Sequence, residues 1–157
     1  MTKELPEDSL IKIIEVLNMN LIKLLALYKA IKNTAKKYHW KTVGTSFMSD
    51  HLLFDRIYDD ISDDDVDTVV EQYYMGIGRK EIDDLDSLTQ LCYQMEGKSF
   101  PANAESIPLM LQELSKMMNA FILGAEKIQL IRGINSEIDN LTSTITQLYG
   151  LVVARLS

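Results

Sequence analysis

Two histidines and two carboxylate pairs are the residues of this sequence that could bind a metal ion. The chain has only two histidines, His39 and His51, and Asp55 follows His51 by four residues. Asp67 and Glu71 form a second pair with the same spacing, which places both members on one face of a helix. Imidazole and carboxylate ligands without a thiolate suit an iron site that must leave positions for Fe(II) and an oxidant.

Each of these features also has a simpler interpretation. A His/Asp pair at this spacing is most often surface polarity, and Asp67 with Glu71 is an ordinary solvated helix face when taken alone. His39 near a helix end would be stabilised there by the helix dipole. None of the pairs is therefore specific by itself.

The His51/Asp55 pair and the Asp67/Glu71 pair lie far apart on one helix. His51 and Asp67 are sixteen positions apart, which is about 24 Å on a straight helix at 1.5 Å per residue. One metal ion cannot contact both pairs within one chain. Two copies of the helix that lie antiparallel about a two-fold axis would bring each histidine pair to the carboxylate pair of its neighbour. If these residues act together, the protein is at least a dimer.

Four long segments with helical spacing of apolar residues are predicted to position these side chains. They cover about residues 9–38, 46–75, 106–133 and 136–156. A short helix at about residues 84–91 is predicted in the long connection between the second and third segments. The prediction is a single all-α domain over residues 1–157, a four-helix bundle with a short extra helix in that connection.

Composition limits the function further. The chain has 157 residues, a net charge of −7 and a pI near 4.8, which disfavours binding to nucleic acid because that affinity depends on neutralising phosphates. No apolar run is long enough for a bilayer, and the first residues do not resemble a signal peptide. Cys92 is the only cysteine, which suits a cytoplasmic protein and predicts a small buried side chain.

The combination of these residues resembles a known family. The positions that match its pattern are His39-Trp40, Gly44, Phe47, His51, Phe54-Asp55, Tyr58, Asp67, Glu71 and Gly76. This pattern is similar to that of the Dps proteins, the miniature ferritins of the ferritin-like superfamily. The resemblance covers most of the chain and implies a hollow dodecamer that oxidises Fe(II), preferably with hydrogen peroxide. It also implies that ferric iron is stored inside and that oxidative damage is limited.

The resemblance assigns roles to individual residues. It implies that His39, His51 and Asp55 come from one subunit, whereas Asp67 and Glu71 come from its two-fold partner. Trp40 would lie beside the site as a redox-active neighbour, although a plain core or surface tryptophan explains it equally well on chemistry alone.

One departure from the family pattern affects the site directly. The stretch between Asp55 and Asp67 is one residue longer than usual, and on a regular helix one residue rotates all that follows by about 100°. The run 62–65 combines poor helix formers with repelling charges. We therefore predict a π-bulge or local break there, which would restore the face. A regular helix would instead leave an impaired site in a structural or DNA-associated shell.

Two further expectations concern the surface. The basic tails that many Dps proteins use for DNA are missing, so DNA binding is not expected, although the lysines of the first helix could form a local basic belt. Glu137 and Asp139 stand where related cages line three-fold pores, but they could equally cap the fourth helix. A third class of protein, an unrelated helical bundle that binds a protein partner in an apolar groove, would be a monomer.

Overall fold

The computed structural model describes residues 20–77, 79–132 and 136–157, and all regular structure in these ranges is helical. The prediction of an all-α fold is thus confirmed. The α-helices are α1 (Leu21–Trp40), α2 (Phe47–Asp60), α3 (Asp63–Val69), α4 (Leu88–Met95), α5 (Ser106–Arg132) and α6 (Ser136–Leu156). A π-helical segment (Val70–Ile77) continues α3, and a 3₁₀ segment (Arg79–Ser87) leads into α4.

Helix α1 is the central element of the packing. It contacts α2, α4 and α5, while α6 packs against α5 and also touches α2 and α3. The apolar positions predicted for α1 from Leu21 onward are buried, and the Tyr28 ring lies 5.5 Å from that of Phe121 on α5. Burial of such side chains is the main contribution that stabilises a fold of this kind. The position of His39 in the last turn of α1 is therefore fixed by the core.

The start of α1 corrects one prediction. An uninterrupted helix from residue 9 is wrong, because Asn20 is extended (φ −133°, ψ 177°) and its side chain accepts a hydrogen bond from the backbone N–H of Lys23 at 3.0 Å. A short polar side chain that bonds the backbone in this way favours a helix start over a helix interior. The predicted capping residues before position 20 lie outside the described residues.

The break predicted after Asp55 is present. Helix α2 ends at Asp60, Ile61 and Ser62 are extended, and α3 starts at Asp63 with the Ser62 hydroxyl accepting from the backbone N–H of Asp64. The prediction of a local break in this region is confirmed. A π-helical segment also occurs, but it begins later, at Val70.

Two side chains of α1 hold the break together. Lys32 Nζ donates to the carbonyl of Ile61 at 2.6 Å and to that of Tyr58 at 3.1 Å, which satisfies two carbonyl groups near the end of α2. Tyr28 donates its hydroxyl hydrogen to Asp65 at 2.8 Å. Burial, together with this hydrogen bond, raises the pKa of Tyr28 well above its ordinary range. The orientation of α3 is thus set by α1 as well as by the chain.

The connection before α5 contains more helix than predicted. The expected short helix is present as α4, but it covers Leu88–Met95 and is preceded by 3₁₀ turns rather than loop. The 3₁₀ segment places Ile82 and Leu85, three residues apart, against the core, and the predicted helix at 84–91 overlaps only its last residues. Cys92 is buried on α4 as predicted, and burial raises the pKa of its thiol.

The remaining boundaries agree with the sequence where they can be compared. Helix α5 begins at Ser106 as predicted, and Asn103 Oδ1 accepts from both the backbone N–H and the hydroxyl of that serine. Gly44, between α1 and α2, has φ +101°, which favours glycine over other residues. Gly133, predicted to end α5, lies outside the described residues. No helix in the described ranges has the length and apolar character needed to span a membrane.

Candidate metal centre

The end of α1 and the first turns of α2 bring together three of the predicted metal ligands. His39 lies in the last turn of α1, and His51 and Asp55 lie on α2. The two imidazole rings have centroids 4.0 Å apart and planes inclined by 31°. Nδ1 of His39 is 4.0 Å from Oδ1 of Asp55. The three side chains thus lie close together on two helices joined by a short turn.

The His39 ring contains a nitrogen without a hydrogen-bond partner. Its Nδ1 is buried and makes no hydrogen bond within the part of the chain that the structure describes. Leaving a buried polar atom unpaired costs about 1–3 kcal/mol, so such an atom calls for an explanation. Because protein ligands lie about 2.1 Å from a bound transition metal, two atoms that share one ion are separated by at most about 4.2 Å. The 4.0 Å from His39 Nδ1 to Asp55 Oδ1 lies within this limit.

The His51 ring is held on its faces and at one nitrogen. Phe47, one turn earlier on α2, stacks on it at a centroid distance of 5.0 Å and an interplanar angle of 28°. Thr42 Oγ1 lies 3.2 Å from His51 Nδ1, and the same hydroxyl donates to the carbonyl of His39 at 2.8 Å. Sequence reasoning missed Thr42, whose only signal was its place three residues after His39.

Trp40 follows His39 and is strongly exposed. Its relative exposure is 67%, and Lys36 Nζ lies 5.4 Å from the ring centroid. A cation over an indole face is mildly favourable at an exposed site. In a single chain the tryptophan is therefore neither a core residue nor shielded from water.

The second carboxylate pair lies beyond the break. Asp67 is an exposed residue of α3, and Glu71 is an exposed residue of the π-helical segment. Among the described residues of one chain, no group of three or more His, Cys, Asp or Glu side chains is arranged to hold a metal ion. We therefore call His39, His51 and Asp55 the half-site, since any complete centre needs further donors.

Exposed apolar residues flank the half-site residues along the chain. They have relative exposures between 40% and 67% and lie at the end of α1, in the following turn and on α2: Trp40, Val43, Phe47, Met48 and Leu52. Exposed apolar residues scattered singly are normal, whereas a contiguous group beside polar functional groups indicates a contact surface.

A buried ion pair fixes the start of α2. Asp50, immediately before His51, has a side chain only 2% exposed and accepts from Arg155 Nε at 2.8 Å and Nη2 at 3.3 Å. Sequence reasoning missed this contact, because 105 positions separate its partners. Hydrogen bonding to Asp50 raises the pKa of Arg155, so the arginine stays charged. The pair attaches the beginning of α2 to the end of α6.

The acidic residues predicted to line a pore have partners inside the chain. Gln72 Nε2 donates to Glu137 Oε1 at 3.4 Å, which links the π-helical segment to α6. The Gln129 amide on α5 donates to Asp139. These bonds link the start of α6 to the π-helical segment and to α5, whereas a role in a pore stays a prediction.

Comparison with known proteins gives no further assignment. No protein-family model, curated protein or solved structure matches the chain. The functional interpretation therefore rests on the residues and on their arrangement.

Proposed function

We propose that this chain is a subunit of a Dps-like miniature ferritin with a ferritin-like four-helix bundle. In this proposal twelve copies form a hollow cytoplasmic cage that oxidises Fe(II) at its imidazole and carboxylate ligands and stores the ferric product. Hydrogen peroxide is the proposed oxidant, so the cage limits oxidative damage. DNA is not a proposed partner, because the chain has a net charge of −7.

The half-site is the observation that supports the proposal most directly. It consists of an unpaired buried nitrogen of His39 facing the carboxylate of Asp55, with the His51 ring beside them. Nitrogen and oxygen donors without thiolate, with vacant coordination positions, suit Fe(II) chemistry. In an ordinary surface His/Asp pair, water would hydrogen-bond the ring nitrogen, whereas Nδ1 of His39 is buried and has no hydrogen-bond partner among the described residues.

The surface around the half-site favours a second copy of the chain as the source of the missing donors. Trp40, Met48 and Leu52 are each more than half exposed, so a two-fold contact there would remove apolar area from water. In an antiparallel contact of α2 with its symmetry mate, Asp67 and Glu71 of one copy approach the half-site of the other. Two equivalent centres then result from one interface.

The reaction balances with two iron ions for each peroxide. Each Fe(II) gives up one electron, and the O–O bond of hydrogen peroxide accepts two electrons and two protons to form two water molecules. The carboxylates hold the cations, and the imidazoles bind as neutral ligands. The break between α2 and α3 is compatible with this chemistry. Because the helix is interrupted, the side of the helix on which Asp67 lies is not fixed by the side on which His51 lies.

The proposal is tested by complementation between two inactive variants. His51→Ala removes a donor from one half of each centre, and Asp67→Ala removes a donor from the other half. When both chains are co-expressed and pair at random, half of the pairs are mixed, and each mixed pair has one intact centre of two. About a quarter of the wild-type ferroxidase activity should return, because the two-fold operation combines one half from each chain. The assay is anaerobic addition of Fe(II), then hydrogen peroxide, followed by ferric absorbance.

A matched pair of variants provides the control. His51→Ala and Asp55→Ala both damage the same half, so no combination of these two chains contains an intact centre and activity should stay lost. Ferroxidase activity in this control pair, or no ferroxidase activity in the pair of His51→Ala with Asp67→Ala, would contradict the intersubunit site. An oligomer with equal slow oxidation in wild type and all variants would instead identify the impaired shell. A monomer of unchanged mass at all concentrations would exclude both cages.

A further inference from the structure

One hydroxyl group contacts both histidines of the half-site. Thr42 is buried in the turn between α1 and α2, with only 4% of its surface exposed. Its Oγ1 lies 2.8 Å from the carbonyl oxygen of His39 and 3.2 Å from Nδ1 of His51. Both distances lie within the usual range of hydrogen bonds. The hydroxyl therefore links the backbone of one histidine to the ring of the other.

The number of hydrogens determines the direction of these bonds. A threonine hydroxyl has one hydrogen to donate and lone pairs that accept, whereas a carbonyl oxygen only accepts. The bond to the His39 carbonyl therefore uses the hydrogen of Thr42. The contact to His51 can then form only if Nδ1 of that ring donates its own hydrogen to Oγ1.

The opposite assignment is less favourable. If the hydroxyl donated to Nδ1 of His51, the His39 carbonyl would lose its bond in the last turn of α1. The neighbouring backbone N–H of Lys41 bonds the Tyr38 carbonyl instead. A carbonyl that is buried and loses its donor costs about 1–3 kcal/mol; the His39 carbonyl is part-buried, and its contact with Thr42 is the shorter of the two.

We infer that Thr42 is a positioning residue that fixes His51 in the tautomer with hydrogen on Nδ1 and so leaves Nε2 as its donor atom for a metal ion. The rings of Phe47 and His39 also contact the His51 imidazole, which restricts rotation of the ring. Metal-binding histidines commonly donate their second N–H to a fixed acceptor, and loss of that acceptor typically costs 10–100-fold in metal affinity or activity. The part of the inference that concerns Fe(II) rests on the proposed function, whereas the tautomer does not.

The tautomer can be measured without any metal. Only two histidines occur in the chain, so long-range ¹H–¹⁵N spectra of the intact protein contain two imidazole patterns, and His51→Gln identifies that of His51. In its neutral form, the His51 imidazole of the wild type should carry its hydrogen on Nδ1. Thr42→Val should lose this preference, whereas Thr42→Ser, which keeps the hydroxyl, should retain it. Anaerobic calorimetric titration with Fe(II) should give affinity about 10–100-fold weaker in Thr42→Val and near wild type in Thr42→Ser.

Thr142→Val separates positioning from general stability. The Thr142 hydroxyl likewise donates to a helix carbonyl, that of Ile138 at 2.7 Å, but lies on α6. This variant should leave the His51 spectrum and Fe(II) affinity unchanged. Hydrogen on Nε2 in the wild type, or an unchanged spectrum in Thr42→Val, would overturn the inference. A changed tautomer with unchanged Fe(II) affinity would overturn the assignment of Nε2 as donor. If the His51 tautomer changes in Thr42→Val as expected but the wild type binds no Fe(II), the role of Thr42 is upheld and the proposed function is refuted.

Discussion

Loss of the ion pair between Asp50 and Arg155 should measurably destabilise the fold beside the half-site. The perturbation is Arg155→Met, which retains an apolar stem and removes both hydrogen bonds to the carboxylate. The carboxylate then stays in place with its side chain only 2% exposed. Burial of a charge without its partner is strongly unfavourable.

The geometry sets the expected magnitude. Removal of one partner from a fully buried pair costs about 3–5 kcal/mol, but the Arg155 side chain is 38% exposed, so water screens part of the interaction. We expect a decrease of about 2 kcal/mol in the free energy of unfolding. For a chain of this size that corresponds to a melting temperature lower by about 4–8 °C.

The assay is a double-mutant cycle with Asp50→Asn, Arg155→Met and the combined variant, followed by urea or thermal unfolding at constant protein concentration. The exposed pair Arg56–Asp60, at 3.3 Å with side chains 56% and 42% exposed, provides the control. Its coupling should be about 0.3–0.5 kcal/mol, as for other exposed pairs one turn apart. If the coupling of Asp50 with Arg155 is no larger than that of the control, burial does not strengthen the pair and the reasoning is refuted.

Two further predictions concern α1 and the tyrosines of the core. Burial raises the pKa of Tyr28, Tyr38 and Tyr74 above the ordinary value of about 10, so the folded state retains these protons more tightly than the unfolded state. These groups should therefore leave the free energy of unfolding unaffected below about pH 10 and lower it above that pH, by at most about 4 kcal/mol per pH unit for three groups. Urea unfolding at rising pH, with tyrosinate absorbance to follow ionisation, measures the effect. A free energy of unfolding that stays constant above about pH 10 would contradict the prediction. Lys32→Met should lower the free energy of unfolding by about 1–3 kcal/mol, because two carbonyls at the end of α2 lose their donor. Lys37→Met, which breaks only an exposed bond to a carboxylate, is the comparison, and an equal effect in both variants would contradict the role assigned to Lys32.

Local sequence patterns predicted those features that depend on neighbouring residues. Apolar spacing located α5 and most of α1, and the aspartates after Ser62 indicated the break, because their charges repel and they favour helix starts over interiors. The approach of His39 to His51 follows from a short turn between two helices, which forces the helices to lie side by side.

Long-range contacts could not be predicted from local patterns. The pairing of Asp50 with Arg155 depends on how α2 packs against α6, and one sequence contains no periodic signal for that contact. Thr42 gave no pattern either, since its role depends on the placement of two rings from different helices.

Helix α1 bears on the additional residue that the resemblance to the Dps pattern implies between Asp55 and Asp67. In one continuous helix, the phase of Asp67 relative to His51 would be fixed by the number of residues between them, and an extra residue would turn it by about 100°. The extended residues after Asp60 remove that dependence. The direction of α3 is instead set by Lys32 and Tyr28, which bond to either side of the break. Because His39 lies on the same helix as these two side chains, α1 serves as the common reference for both halves of the proposed centre. The extra residue is therefore compatible with a working site, provided that these contacts of α1 are maintained.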